Sequence, residues 1–160
     1  MKLVFITTGG TIDKIYFDRK SSFEVGNPQI TEVLREANVT LDWEVVPLMR
    51  KDSLDMTDSD RRLVLKAVME NPNRRFVVTH GTDTMIETAK VLRRAEGKTI
   101  VLTGAMQPAM FRFTDAVFNI ATAIAAVQLL SEGVYIAMNG RVFIPEQTRK
   151  NAEMNRFEEI

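Results

Sequence analysis

The chain has 160 residues, and its 21 acidic side chains balance its 21 basic ones, so zero formal net charge gives no general attraction to nucleic acid or to an anionic membrane. It has no cysteine, which excludes disulfides, thiol catalysis and cysteine-bound metals and fits a cytoplasmic location. No apolar run approaches the roughly 20 residues needed to span a bilayer, and the length predicts a single domain over residues 1–160.

Five apolar segments predict β-strands, and their continuous apolar pattern indicates a parallel sheet that is covered on both faces. In chain order the predicted strands are residues 2–8, 43–48, 75–79, 99–103 and 134–138. Helical patterns lie between them, at residues 29–37, 58–70, 84–95 and 114–130. This alternation predicts a doubly wound, flavodoxin- or Rossmann-like α/β fold with helices on both faces of the sheet.

Two similar segments follow the first and third predicted strands. Thr7-Thr8-Gly9-Gly10-Thr11-Ile12 follows the first, and Thr79-His80-Gly81-Thr82-Asp83-Thr84 follows the third. The default strand order for this fold, 2-1-3-4-5 with right-handed crossovers, makes these two strands neighbours. The carboxyl ends of the strands are also where α/β proteins bind ligands. The sequence therefore predicts that the two threonine-rich corners, with Thr11 and Thr82, meet in a site for hydroxyl nucleophile chemistry.

Two features predict local structure around these corners. Residues 13–28 form a long polar connection, which is typical of a lid loop over an active site. Thr57 with Asp60, and Thr84 with Glu87, have the spacing of capping boxes at the starts of two helices.

Each candidate residue also has a purely structural explanation. Gly9-Gly10-Thr11 is equally typical of a tight turn with a capping threonine, and Thr82 with Asp83 of a helix cap. Ser53, after the second strand, either binds a substrate carboxylate or is an ordinary loop serine. His80 is the only histidine, so no histidine-based metal site is predicted, and we expect it to orient its loop by hydrogen bonding.

A threonine hydroxyl is a poor nucleophile until a neighbouring base takes its proton, and a lysine held neutral or a carboxylate can be that base. Lys14 is close to Thr11 in sequence, and Lys150 follows the fifth strand. A solvated basic pair, Arg149 with Lys150, is the alternative. The charged stretch around them, residues 145–160, predicts a partial helix.

Four segments, in order along essentially the whole chain, resemble the bacterial-type L-asparaginase family. Thr8-Gly9-Gly10-Thr11-Ile12 is similar to the first signature of that family, and His80-Gly81-Thr82-Asp83-Thr84 is identical to the core of the second. Gly104-Ala105-Met106-x-Pro108 and Ser53-x-Asp55-Met56 resemble two further recurrent segments. Family members usually have a C-terminal domain, so the resemblance is to the short, single-domain members without it.

The resemblance implies hydrolysis of L-asparagine to L-aspartate and ammonia through an acyl-enzyme on Thr11, without a cofactor or a metal. It implies a second catalytic cluster of Thr82, Asp83 and a lysine, in which Thr82 helps to activate or position a water. Lys150 follows the fifth predicted strand at about the interval expected for that lysine, and Arg149 is the alternative.

The resemblance also implies a set of substrate contacts. Asp83 and Ser53 would hold the amino and carboxylate groups of the substrate, and backbone amides at the two corners would form an oxyanion hole. Further contacts are expected from Gly10, Thr82 and Ala105.

Two positions depart from the family pattern. Leu54 stands where many members have a glutamine that contacts the substrate, which leaves the preference between asparagine and glutamine open. The lid tyrosine of the family aligns with Phe23, which cannot donate a hydrogen bond to Thr11. Tyr16, in the same connection, is the candidate to replace it as a catalytic residue.

Three functions therefore stay open. The first is an asparaginase with a small-molecule substrate and no nucleic acid or membrane partner. The others are an amidase acting on another substrate, such as L-glutamine, and a non-catalytic sensor that binds aspartate or asparagine. The predicted helix at residues 114–130 is apolar nearly all round in its centre, which predicts burial partly by another subunit in a homodimer or a larger homo-oligomer.

Overall fold

The computed structural model describes all of residues 1–160. In chain order the elements are β1 (Lys2–Gly9), β2 (Lys14–Phe17), β3 (Ser22–Val25), α1 (Ile30–Glu36), β4 (Asp42–Lys51), α2 (Asp58–Glu70), β5 (Arg75–Thr79), α3 (Met85–Leu92), β6 (Thr99–Thr103), α4 (Ala116–Leu129), β7 (Gly133–Met138), β8 (Arg141–Phe143), β9 (Thr148–Asn151) and β10 (Arg156–Glu159). Six strands form one sheet in the order β4-β1-β5-β6-β7-β8, and two hairpins, β2–β3 and β9–β10, lie outside it. No helix combines the length and apolarity needed to cross a membrane.

The predicted α/β architecture is confirmed. All five predicted strands are present, and their order in the sheet is the predicted 2-1-3-4-5. They pair in parallel, and only β8, at the edge, runs antiparallel to its neighbour.

Helices cover both faces of the sheet, which explains why its strands read as continuous apolar runs. In β1, Val4 and Ile6 pack under α2 and α3, whereas Leu3 and Phe5 pack under α1 and α4. All four side chains are at most 1% exposed. Successive side chains of a strand point to opposite faces, so a sheet covered on both sides needs an apolar residue at every position.

One of the two predicted capping boxes is confirmed and the other is wrong. At the start of α2 the Asp60 amide donates to Thr57 Oγ1 at 3.2 Å, and the Thr57 amide donates to the Asp60 carboxylate at 2.8 Å. Before α3, the Thr84 side chain makes no such cap. Its hydroxyl donates instead to the Ser53 carbonyl at 2.8 Å, so a contact distant in sequence replaces the local one.

The predicted partial helix in residues 145–160 is wrong. A short 3-10 turn at Pro145–Gln147 leads into the β9–β10 hairpin. Asn155 takes a left-handed conformation, with φ of 49°, at the hairpin turn. Phe157 is 3% exposed and packs in the core beside Phe143. Burying this one aromatic side chain between outward-facing charges suits a strand, whose side chains alternate, better than a helix.

Helix α4 buries one face on the sheet and leaves the other uncovered within this chain. Its exposed apolar side chains include Val117, Phe118 and Leu129, at 48%, 61% and 87% exposure. The predicted burial is therefore confirmed for one face, and contact of the other face with a second subunit stays a prediction.

Candidate active site

The two threonine-rich corners meet because β1 and β5 are adjacent strands. Their last pair in register is Thr7 with Thr79. Gly10, which has a φ of 89°, then passes so close to the second corner that a Cβ atom on it would lie 2.5 Å from Gly81 Cα. Only glycine satisfies both conditions. Thr11 and Thr82 are the residues that directly follow these two touching glycines.

A lysine from the β9–β10 hairpin completes the cluster at the second corner. Lys150 Nζ donates to Thr82 Oγ1 at 2.8 Å and lies 2.6 Å from Asp83 Oδ1. Arg149 points elsewhere, to Glu158 at 3.1 Å. Of the two candidate cations, Lys150 is therefore the one that contacts Thr82 and Asp83.

Ser53 is held against the same corner. It opens the 3-10 turn after β4 and is 1% exposed. Its Cβ and Oγ atoms would both lie 2.6 Å from a Cβ atom placed on Gly81. The Thr84 amide approaches Ser53 Oγ at 3.4 Å, and the Thr84 hydroxyl donates to the Ser53 carbonyl. Leu54, the next residue, is 70% exposed. The motif spacing gave Thr84 only a capping role, and its actual role is to join these two segments.

The segment with Ala105 is fixed from behind by the start of α4. Asp115 accepts hydrogen bonds from the two backbone amides that follow Ala105, both at 2.9 Å. Asn119 donates to the Gly104 carbonyl at 3.0 Å. Neither Asp115 nor Asn119 was predicted from the sequence, because polar residues at a helix start are usually explained by capping.

His80 is a buried neutral side chain that holds the second corner in shape. Its Nδ1 donates to the Gly81 carbonyl at 2.7 Å, so its Nε2 accepts from the Thr88 hydroxyl, also at 2.7 Å. Burial lowers the pKa of His80 to about 4. These are the loop-orienting hydrogen bonds expected from the sequence. No three His, Cys, Asp or Glu side chains cluster in a way that could hold a metal ion.

The predicted lid, residues 13–28, contains the β2–β3 hairpin. The Tyr16 ring packs on Phe23 with centroids 5.3 Å apart, and Phe23 packs on Phe111 at 5.6 Å. Tyr16 is 47% exposed, and no hydrogen bond joins its hydroxyl to Thr11. Its catalytic role and the movement of the hairpin as a lid stay predictions.

Hydrogen bonds of Asp13, which the sequence did not indicate as a site residue, hold the base of this hairpin. The Asp13 side chain accepts from the Gln29 amide at 2.9 Å, and its carbonyl accepts from the Gly26 amide at 2.8 Å. Burial raises the pKa of this carboxyl to about 7, against the opposing effects of the Gln29 hydrogen bond and of the Arg50 charge. The carboxyl group lies two residues after Thr11.

A family model described as "Asparaginase, N-terminal" matches residues 2–158. The chain belongs to the asparaginase family. The L-asparaginase of Thermococcus kodakarensis is 28% identical over 100% of this chain and 51% of its own length. The probable periplasmic L-asparaginase of Haemophilus influenzae is 33% identical over 88% of this chain and 43% of its own length.

Solved asparaginase structures share the fold described above. The thermostable L-asparaginase from Thermococcus kodakarensis superposes with a TM-score of 0.85 at 25% identity, over 100% of this chain and 51% of that one. A probable cytoplasmic L-asparaginase from Campylobacter jejuni gives a TM-score of 0.83 at 26% identity, over 99% and 52%. This chain thus spans about half the length of the asparaginases it matches.

Proposed function

We propose that this asparaginase-family chain hydrolyses L-asparagine to L-aspartate and ammonia through an acyl-enzyme on threonine. The observation that carries the proposal is the pair of touching corners: Gly10, just before Thr11, contacts Gly81, and the second corner holds the hydrogen-bonded cluster of Lys150, Thr82 and Asp83. It combines two hydroxyls, an amine and a carboxylate at the edge of the sheet where α/β proteins bind ligands. Relatives named as L-asparaginases support the same reaction class.

In the first step Thr11 Oγ1 attacks the carbonyl carbon of the substrate's side-chain amide. A C–O bond forms, the C–N bond breaks, and the hydroxyl proton is passed to the departing nitrogen, which leaves as ammonia. Backbone amides at the two glycine-rich corners stabilise the oxyanion that develops on the way. In the second step a water hydrolyses the ester, releases L-aspartate and returns a proton to Thr11. Thr82, hydrogen-bonded to Lys150, activates or positions that water.

Asp83 and Ser53 provide the recognition of the amino acid. One oxygen of the Asp83 carboxylate is taken by Lys150, and the side chain is 45% exposed, so its other oxygen is accessible to the substrate's ammonium group. Ser53 lies on the neighbouring turn, 1% exposed in this structure, and by the family resemblance its hydroxyl binds the carboxylate. Gly10 and Ala105 line the remaining sides with backbone groups.

The direct test is ammonia release from L-asparagine by the wild-type protein and by Thr11→Ala. Loss of the nucleophile should lower the rate by at least about a thousandfold. The melting temperature should stay close to that of the wild type, because Thr11 is only half-buried. Thr40→Ala changes an exposed threonine just before the start of β4, at the end of the sheet opposite the corners, and is the matched control that should keep its activity. Unchanged ammonia release from Thr11→Ala would refute the assignment of the nucleophile.

A second candidate, an amidase with a different substrate preference, is favoured by Leu54. This apolar side chain is 70% exposed where a glutamine is common in the family. A relative from Acinetobacter glutaminasificans is described as a glutaminase-asparaginase. Comparing kcat/KM on L-asparagine, L-glutamine and small amides separates the two candidates. A ligand-induced rise in melting temperature without any ammonia would instead support the sensor.

The proposal includes a homodimer or a larger homo-oligomer in the cytoplasm. The uncovered apolar side of α4, with Val117, Phe118 and Leu129, supports the subunit contact. The relatives have both periplasmic and cytoplasmic names, so the location rests on the composition of the chain. Sedimentation at micromolar concentration tests the oligomer, and a monomer would contradict it.

A further inference from the structure

An open cleft of about 520 Å³ lies between the β2–β3 hairpin and the end of β4. Lys14 and Phe23 belong to its hairpin wall, and Arg50, Asp52 and Asp55 to the opposite wall. This volume is in the range of sites that hold ligands larger than a single amino acid. None of the residues assigned to the reaction lines the cleft.

The charges in the cleft are only partly neutralised by the chain itself. Lys14 and Asp52 form an ion pair across it at 3.2 Å. Arg50 and Asp55 are both exposed, and neither makes an ion pair with another side chain. The cleft therefore offers a ligand one free guanidinium group and one free carboxylate group.

Two residues that line the cleft, Lys51 and Asp52, connect it to the candidate active site. Asp52 directly precedes Ser53 as the N-cap of the 3-10 turn, and Asp55 ends that turn. The hydrogen bond from the Leu54 amide is the main cause that lowers the pKa of Asp52, and the Lys150 charge contributes to the same shift. The carbonyl of Lys51, which lines the cleft, accepts a hydrogen bond from the Gly10 amide at 2.9 Å, so the cleft and the first corner are close neighbours.

We propose that this cleft extends the substrate site and takes the second residue of a peptide that begins with asparagine. The inference rests on the proposed function, because it uses Ser53 as the group nearest the α-carboxyl carbon of the substrate. In such a peptide that carbon continues into a peptide bond, and the chain leads away from Ser53 into the cleft. The free α-amino group still meets Asp83, so asparagine must be the first residue.

Arg50 sets the preference for the second residue. Its guanidinium group binds a carboxylate of that residue, which is the terminal carboxylate of a dipeptide or an acidic side chain. The reaction is unchanged: water hydrolyses the side-chain amide of the first residue, ammonia leaves, and an aspartyl peptide remains. Phe23 provides an apolar wall for the stem of the second side chain.

The test compares ammonia release from L-asparagine, asparaginyl-glutamate and asparaginyl-lysine. The wild-type protein should release ammonia from both dipeptides, because Arg50 can bind their carboxylates and Asp55 can bind the lysine ammonium group. Arg50→Ala should lower the ratio of kcat/KM for asparaginyl-glutamate to that for free asparagine by about two- to fivefold, the upper part of the range for one solvent-exposed ion pair. Arg62→Ala removes an exposed arginine from α2, outside the cleft, and should leave this ratio unchanged. The ratio also cancels any effect of Arg50 on Asp13, which acts on both substrates.

Two results overturn the inference while the proposed function stands: turnover of free asparagine with rejection of both dipeptides, or an unchanged ratio in Arg50→Ala. If no substrate releases ammonia, the proposed function fails. A binding measurement then tests whether the cleft holds the dipeptide. A rise in melting temperature with asparaginyl-glutamate that is reduced in Arg50→Ala, but not in Arg62→Ala, supports the cleft. No difference between the two variants overturns it.

Discussion

Replacing Asp13 with asparagine removes a buried carboxyl group and keeps a side-chain oxygen that accepts from the Gln29 amide. The wild-type side chain is 2% exposed, and burial raises its pKa from 3.8 to about 7. In the unfolded chain the carboxyl is solvated and titrates near its ordinary value. The folded state therefore holds a proton that the unfolded state releases at lower pH.

The direction of the effect on stability follows from this difference. Below about pH 4 the carboxyl is protonated in both states and does not oppose folding. Between about pH 4 and pH 7 the Asp13 carboxyl is ionised in the unfolded chain but still protonated in the folded one. The free energy of unfolding therefore falls as the pH rises. A shift of about three pKa units corresponds to about 4 kcal/mol, at 1.36 kcal/mol per unit, and this is an upper value because local opening of the hairpin would relieve it. Above pH 7 the carboxyl is ionised in both states, and the free energy of unfolding falls no further on its account.

Urea unfolding at several pH values between 4.5 and 8 measures this dependence. The free energy of unfolding of Asp13→Asn, relative to that of the wild type, should rise by up to about 3 kcal/mol across this range, because part of the effect lies below pH 4.5. Asp18→Asn, which removes an exposed carboxylate from the hairpin, controls for the loss of one negative charge. Parallel pH profiles for the wild type and Asp13→Asn would refute the reasoning, since they would mean that Asp13 is ionised at low pH in the folded state.

Two further predictions concern contacts made by the second corner. Lys150→Met removes the amine from Thr82, so ammonia release should fall by at least about a hundredfold, whereas Arg149→Met should stay within about twofold of the wild type; equal losses would contradict the placement of the lysine. Gly10→Ala adds a methyl group 2.5 Å from the backbone of the second corner at a φ of 89°, and should lower the free energy of unfolding by more than about 2 kcal/mol. Gly97→Ala has a similar positive φ of 73° but free space around it, so urea unfolding of the two variants isolates the clash, and equal losses would show that there is none.

The sequence was enough to predict the sheet and the meeting of the two corners. Continuous apolar runs need cover on both faces, and the default order for such a sheet places the first and third strands together. The glycine pair Gly10 and Gly81 then fits the close approach that this order requires. These predictions depend on patterns local to each strand and on one general rule of topology.

The choice between Arg149 and Lys150 was beyond the sequence for a physical reason. Neighbouring residues of a strand point to opposite sides, and only the pairing of β9 with β10 decides which side faces Thr82. In that register Lys150 is opposite Phe157 and Arg149 is opposite Glu158. The sequence pattern of the charged stretch around them predicts a partial helix, in which neighbouring side chains point about 100° apart and not to opposite sides.

The residues that hold the site in shape could not be predicted either, because their hydrogen-bond partners are distant in sequence. Thr84 reaches back 31 residues to Ser53, and Asp13 reaches forward 16 residues to Gln29. A polar residue beside a glycine or a helix start has a sufficient local explanation as a cap or a turn. The partner that gives it another role is visible only after the chain has folded.

The position of Lys150 on the β9–β10 hairpin links catalytic competence to the order of folding. Its partner Thr82 lies 68 residues earlier, and the hairpin is anchored by Phe157 in the core and by the hydrogen bond from its amide to Asn139. Contacts between distant segments form late, because their loop entropy is lost before the contact is gained. Under the proposed function, a partly folded chain with an intact sheet but an undocked hairpin should therefore release no ammonia. Recovery of ammonia release would mark the completion of refolding, later than any spectroscopic signal from the sheet.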